Sequence, residues 1–170
     1  MSRPGALFAL LLAVLLAGNA RAQEADDFCR RMGRNQAIFE MMLQATTAES
    51  LPKTGAIRCT WAFAQVNAPE LVVTLDSTLL ASQTAARQTI LMARLPEKNR
   101  GRTIEPLTGV GDDAIYRATV EDGTTKLLEF EAVKGRRHVL MTVRPQGGAH
   151  VNHIRARASI AFLASGLAAL

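Results

Sequence analysis

No CxxC pair, no G-x-S-x-G elbow and no glycine loop opening a helix occurs in this chain. Those absences remove thiol-redox centres, α/β-hydrolase nucleophiles and phosphate cradles from consideration. Ser159 and Ser165 stand in no recognisable relation to an Asp/His pair. Internal repeats, long linkers and low-complexity tracts are missing as well, which argues for one domain. The N-terminal apolar run, Ala6 to Ala17, is 12 residues, short of the roughly 20 that a bilayer span needs. The uncharged tail 158–170 is 13 residues and suits packing on a sheet rather than a membrane.

What the N-terminus does have is a positive start at Arg3, the short apolar run, a helix break at Gly18-Asn19, and the small-x-small triplet Ala20-Arg21-Ala22. Together these read as a signal peptide over residues 1–22, cleaved to leave 23–170 as a single domain. With no Cys directly after the apolar run, the mature chain is expected to be soluble, periplasmic or extracellular, and not lipid-anchored. Loss of Arg3 and Arg21 takes the 20 basic residues to 18 against 15 acidic ones, a net charge of +3. So modest a charge, in an exported chain, gives no reason to expect nucleic-acid binding.

Cys29 and Cys59 are the only cysteines. In an oxidising compartment an even pair reads as a disulfide, closing a loop that stabilises the fold by about 3–4 kcal/mol on the chain-entropy view. Two buried thiols, or one reactive thiol, are the other readings.

Asp26 and Asp27 suit the first turn of a helix starting near Phe28. Phe28, Met32, Phe39, Met42 and Thr46 recur at spacings that can share one helical face, with Gly33 able to split the segment into two short helices. Thr47 to Thr54, containing Pro52, reads as a loop. Ile57, Cys59, Trp61 and Phe63 alternate with smaller or polar neighbours as in a half-buried strand. A turn at Asn67-Ala68-Pro69 and a β-branched run from Glu70 to Asp76 complete a hairpin.

Ser77 to about Leu95 then reads as a long helix capped by Ser77 or Thr78 and stopped before Pro96, with Leu79, Gln83, Ala86, Ile90 and Ala93 on one stripe. Ile104 to Leu107, with its proline, is expected at a sheet edge. Strands Ala114–Val120, Lys126–Val133 and Arg137–Arg144 form a meander. Its turns fall at Asp122-Gly123 and Lys134-Gly135. A loop at Pro145-Gln146-Gly147-Gly148 leads to a final helix from Val151 to about Ala169. The expected fold is α+β: an antiparallel sheet of five to six strands covered by helices, in the order α-β-β-α-β-β-β-β-α.

A helix carrying a Cys, a strand reading Cys59-Thr60-Trp61, a long helix, Gly109-Val110-Gly111-Asp112-Asp113-Ala114-Ile115-Tyr116, then a meander and a last helix resemble the PsbP-like α/β/α sandwich. That sandwich is found in uncharacterised secreted and envelope lipoproteins of bacteria. The resemblance covers roughly Asp26 to Leu167 and implies a non-enzymatic envelope module that binds a protein or an apolar ligand, or aids an assembly. The chain departs from many such proteins in lacking the lipid-anchor cysteine, so no fixed membrane tether is expected.

Four groups of residues are candidates for function. Arg94, Lys98, Arg100 and Arg102 cluster around the loop after the long helix, and read either as a solvated loop or as a basic lip for an acidic partner or an anionic envelope surface. His150 and His153 could begin a metal site, joined by His138, Asp112 or Asp113, but as residues at a helix start they need no metal. Gly109, Gly111, Asp112 and Asp113 fit a structural turn, since neighbouring carboxylates on a strand point to opposite faces. Met32, Phe39, Met41 and Met42 could line an apolar cleft, although their spacing equally suits a core.

No cofactor is implied. The favoured function is a non-catalytic secreted or periplasmic binding module recognising a protein or envelope component. The alternatives are a small periplasmic hydrolase whose site is scattered through the sequence and a carrier of an apolar small molecule.

Overall fold

The computed structural model describes residues 20–51, 54–64, 71–95, 102–146 and 151–170, with His153 by its backbone alone. Residues 1–19, Pro52, the turn at Asn67-Ala68-Pro69, Pro96, Lys98, Arg100, Gly147, Gly148 and His150 lie outside the described residues.

Helix α1 covers 20–32 and a short 3-10 helix covers Gln36–Phe39. The strands are β1 (Met42–Leu51), β2 (Ala56–Ala64), β3 (Leu71–Leu79), β4 (Arg102–Leu107), β5 (Asp113–Glu121), β6 (Thr124–Lys134) and β7 (Arg137–Pro145). Helix α2 (Gln83–Ala93) separates β3 from β4, and α3 (His153–Ala168) closes the described chain. Among the described residues one sheet holds all seven strands in the order β1-β2-β3-β7-β6-β5-β4. Every neighbouring pair is antiparallel.

The period-2 pattern builds the main core. Cys59, Leu75, Met141, Phe130 and Tyr116 stand side by side across β2, β3, β7, β6 and β5, with Trp61, Val73, Val143, Leu128 and Ala118 in the next row. α1 lays Ala25, Phe28, Cys29 and Met32 on this face, and α3 adds Phe162, Leu163 and Leu167. Phe39 of the 3-10 helix joins the aromatic cluster, 5.0 Å from Phe63 and 5.4 Å from Phe162, while Trp61 meets Phe162 edge-on at 5.2 Å. Tilted and edge-on contacts at these distances suit the ring quadrupoles. Cys29 and Cys59 are joined by a disulfide that ties α1 to the second strand from the edge. α2 covers the other face at β5, β6 and β7, burying Ala86, Ile90 and Ala93 against Ile115 and Val133.

The sheet has one strand more than the upper expected count. Met42–Leu51 is a strand, not the tail of a helix followed by a loop. Met42 and Thr46 match the helical face of Phe28 by coincidence of spacing. Two adjacent β-branched threonines and a full partner strand in β2 decide otherwise. The split at Gly33 is real but has a packing cause: an added Cβ would lie 2.7 Å from Trp61 Nε1. The chain then turns at Glu40, which adopts a left-handed φ of 52°.

Ser77 and Thr78 do not cap a helix. The alternation of Leu71, Val73 and Leu75 continues through Ser77, which is buried, and β3 pairs with β7 along its whole length. Ser82 caps α2 instead, its side chain accepting from the Ala85 N–H at 3.1 Å. Of the expected stripe, Ala86, Ile90 and Ala93 are buried while Leu79 belongs to β3 and is exposed. Thr47–Leu51, expected as loop, is the second half of β1. The meander, its Asp122-Gly123 turn with both φ angles positive, and β4 at the edge are all present.

Candidate binding surface

Side chains on the face opposite the main core form rows set by strand register. Thr47, Thr60, Thr74 and Thr142 stand in line across β1, β2, β3 and β7. Beyond them the same row continues through Glu129 and Arg117. On one side lies the row Ala45, Ala62, Val72 and Arg144, and on the other Glu49, Arg58, Asp76 and Leu140. Since α2 lies over β5, β6 and β7, the β1–β2–β3 half keeps half-exposed Thr60, Ala62, Val72 and Thr74, with Ala45 and Thr47 exposed. An antiparallel sheet tolerates this because alternation puts polar or small groups outward.

Arg58 holds Asp76 through two hydrogen bonds, Nε to Oδ1 at 2.7 Å and Nη2 to Oδ2 at 2.9 Å. The hydrogen bond and charge of Asp76 raise the Arg58 guanidinium above its ordinary value, against a burial effect, and Glu49 adds to the rise. Arg58 and Asp76 therefore satisfy one another on the sheet surface, with Glu49 as a second carboxylate beside them.

Nearer α2, a buried triad is centred on Glu131. His138 Nε2 donates to its Oε1 at 2.9 Å and Arg117 Nη2 donates to its Oε2 at 2.6 Å. Burial pushes the Glu131 carboxyl up, but the His138 hydrogen bond and the Arg117 and His138 charges outweigh it and hold the group below the usual carboxylate range. Arg117 Nε is buried without a hydrogen-bond partner among the described residues. Both carboxylate oxygens are occupied, so the triad reads as a structural ion-pair network.

The sequence-predicted groups fall in different places. Arg94 ends α2 and binds Asp113 at 2.5 Å, whereas Arg102 opens β4 and binds Glu129 at 2.5 Å. Each of these two cations is thus matched by a carboxylate, while Lys98 and Arg100 lie outside the described residues. His150 and the His153 side chain lie outside as well, and His138 is engaged with Glu131. Among the described residues no group of three or more His, Cys, Asp and Glu is placed to hold a metal ion.

Gly109 and Gly111 have φ of 76° and 61°. Asp112 donates its N–H to the Val133 carbonyl and accepts from the Gly135 N–H, both at 2.7 Å, so it binds the β6–β7 turn while Asp113 faces Arg94. Met32 and Phe39 are core, Met41 packs beside them, and Met42 is 69% exposed. Ser159 donates to the Arg155 carbonyl at 2.7 Å, and Ser165 accepts from Asn35.

Sequence reasoning missed the threonine row and the Glu131 triad. The paired Thr46-Thr47 was the available signal for β1, and Glu131 alternates with core-facing Phe130 and Ala132. Which cation reaches it depends on strand order.

Two open grooves flank the sheet. One, of about 470 Å³, lies between α1 and β1, with Trp61, Cys29 and Leu43 at its base and Asp26, Arg30 and Arg34 around it. The other, of about 250 Å³, is bounded by Arg21, Glu24, Ser77 and Arg137. There the Arg137 guanidinium, 4.8 Å over the Phe28 ring, donates to Ser77 Oγ at 2.9 Å. No described helix is long and apolar enough to cross a membrane. Comparison with protein-family models, curated proteins and solved structures finds no match to this chain.

Proposed function

We propose that the chain is an exported, non-catalytic binding module, a PsbP-like sandwich that recognises a protein or envelope component. The observation that carries this reading is the half of the second sheet face that no described helix covers. It is a field of Thr47, Thr60, Thr74 and Thr142 beside Ala45, Ala62 and Val72, flanked on one side by exposed Arg144 and on the other by the Arg58–Asp76 pair. An open sheet face lined by small side chains favours contact with another macromolecule over enclosure of a small one.

Export is supported by the disulfide and by the burial pattern of α1. Residues 20–24 are exposed, whereas the anchoring side chains begin at Ala25, so cleavage after Ala22 leaves every core contact of α1 in place. Intact-mass analysis of protein recovered from the periplasm tests this, a chain starting at Gln23 being expected.

For the binding surface, the immobilised protein is exposed to solubilised envelope of its own host, and retained components are compared with those of Thr60→Arg and Thr74→Arg variants. Components that disappear with these variants, but remain with Arg157→Glu on the exposed side of α3, support the reading. Retention indifferent to all three substitutions counts against it.

A further inference from the structure

The two edges of the sheet are unlike. β4 is six residues long and carries Arg102, Glu105 and Pro106, features that discourage another strand from adding on. β1 is ten residues long and has no Lys, Arg or Pro. Its one charge is Glu49, which faces Arg58 of its own sheet. Among the described residues only β2 pairs with it.

We infer that β1 is a homodimer interface, in which a second copy of this chain adds antiparallel across a two-fold axis at Thr47. For an axis perpendicular to the sheet, a residue must meet one on the same face, so only registers centred on a single residue are allowed. Centring on Glu49 opposes two carboxylates, and centring on Ala48 brings them within two residues along the strand. Centring on Thr46 places Leu43 against Glu49 of the partner copy and draws the irregularity at Leu43–Ala45 into the ladder.

Centring on Thr47 opposes Ala45 to Glu49, Thr46 to Ala48 and Thr47 to its own copy. It leaves the carboxylates roughly 14 Å apart, beyond the screening length at physiological salt. It also prolongs the threonine row: the line Thr142, Thr74, Thr60, Thr47 continues into its symmetric copy, doubling the row across one continuous sheet. Cross-strand Thr–Thr pairs stabilise such ladders. Five residue pairs bury less than a permanent dimer needs, so the association is reversible. The inference is separate from the partner-binding reading: the two share Thr47 and Ala45 at the rim, but that reading is tested at Thr60 and Thr74, which lie inside the face on β2 and β3.

The test is sedimentation equilibrium of the purified, disulfide-intact protein over a concentration series, together with two cysteine variants and one lysine variant. The wild type is expected to approach twice the monomer mass, and Thr47→Lys, which opposes two ammonium groups at the axis, to stay at the monomer mass with unchanged melting. Under mild oxidation Thr47→Cys is expected to give a covalent dimer on a non-reducing gel, and Ala45→Cys, displaced from its own copy, not to. The cysteine pair decides the matter even if the lysine variant fails to fold. A wild type monomeric up to its solubility limit would overturn the inference, as would a dimer indifferent to Thr47→Lys or cross-linking equal at Thr47 and Ala45.

Discussion

Breaking the Cys29–Cys59 bond removes the one covalent tie between α1 and the sheet, and its effect can be worked from the structure. The partners are 30 residues apart in sequence and buried, at 1% and 0% exposure. Opening a loop of that size returns about 3–4 kcal/mol of conformational freedom to the unfolded chain. For a domain of this length each kcal/mol shifts the melting temperature by about 2–4 °C, so a fall of about 6–16 °C is expected.

The assay is guanidinium unfolding of the oxidised protein, of protein reduced while unfolded and then refolded, and of the Cys29→Ala/Cys59→Ala variant. Reduction keeps both sulfurs in the core. The double substitution also empties their space, and should cost about 1–2 kcal/mol more than reduction alone. The denaturant slope should rise in both, because the unlinked chain exposes more surface when unfolded. A reduced protein within about 1 kcal/mol of the oxidised one would refute the loop-closure reasoning, since that model demands several times as much.

Three further outcomes follow from particular contacts. Glu131→Gln leaves Arg117 buried without its counter-charge and should lose about 3–5 kcal/mol at neutral pH in urea unfolding. Because the folded carboxyl sits below its ordinary range, its contribution is complete above that range and is lost as pH falls through the folded value. The variant's acid limb should therefore be flatter than the wild type's. Gly111→Ala should be worse than Gly109→Ala by about 2 kcal/mol or more: both positions have positive φ, but only at Gly111 would a Cβ overlap the Val133 carbonyl oxygen. Equal melting of the two glycine variants would contradict that. Ser82→Ala removes the α2 cap and should cost about 1 kcal/mol by thermal melting, whereas Ser77→Ala should perturb Arg137 and leave α2 helicity intact.

Local pattern alone made much of the sheet legible. Ile57, Cys59, Trp61 and Phe63 alternate so regularly that β2 follows from the pleat, and Asp122-Gly123 marks the β5–β6 hairpin because few other pairs accept two positive φ angles. Pro106 told β4 to be an edge, since it has no N–H to give. Pairing of Cys29 with Cys59 needed only an even count and an oxidising setting.

Tertiary structure decided the rest. Met42–Leu51 carries a helical spacing and a strand composition at once, and only the waiting edge of β2 resolves the conflict. Ser77 is a good cap by type, yet two neighbouring strands extend β3 through it. Arg94 and Arg102 look like free cations in the sequence because Asp113 and Glu129 are 19 and 27 residues away. Ion-pair partners, the threonine row and the unlike edges all depend on strand order, which puts distant residues about 5 Å apart and has no counterpart in local spacing.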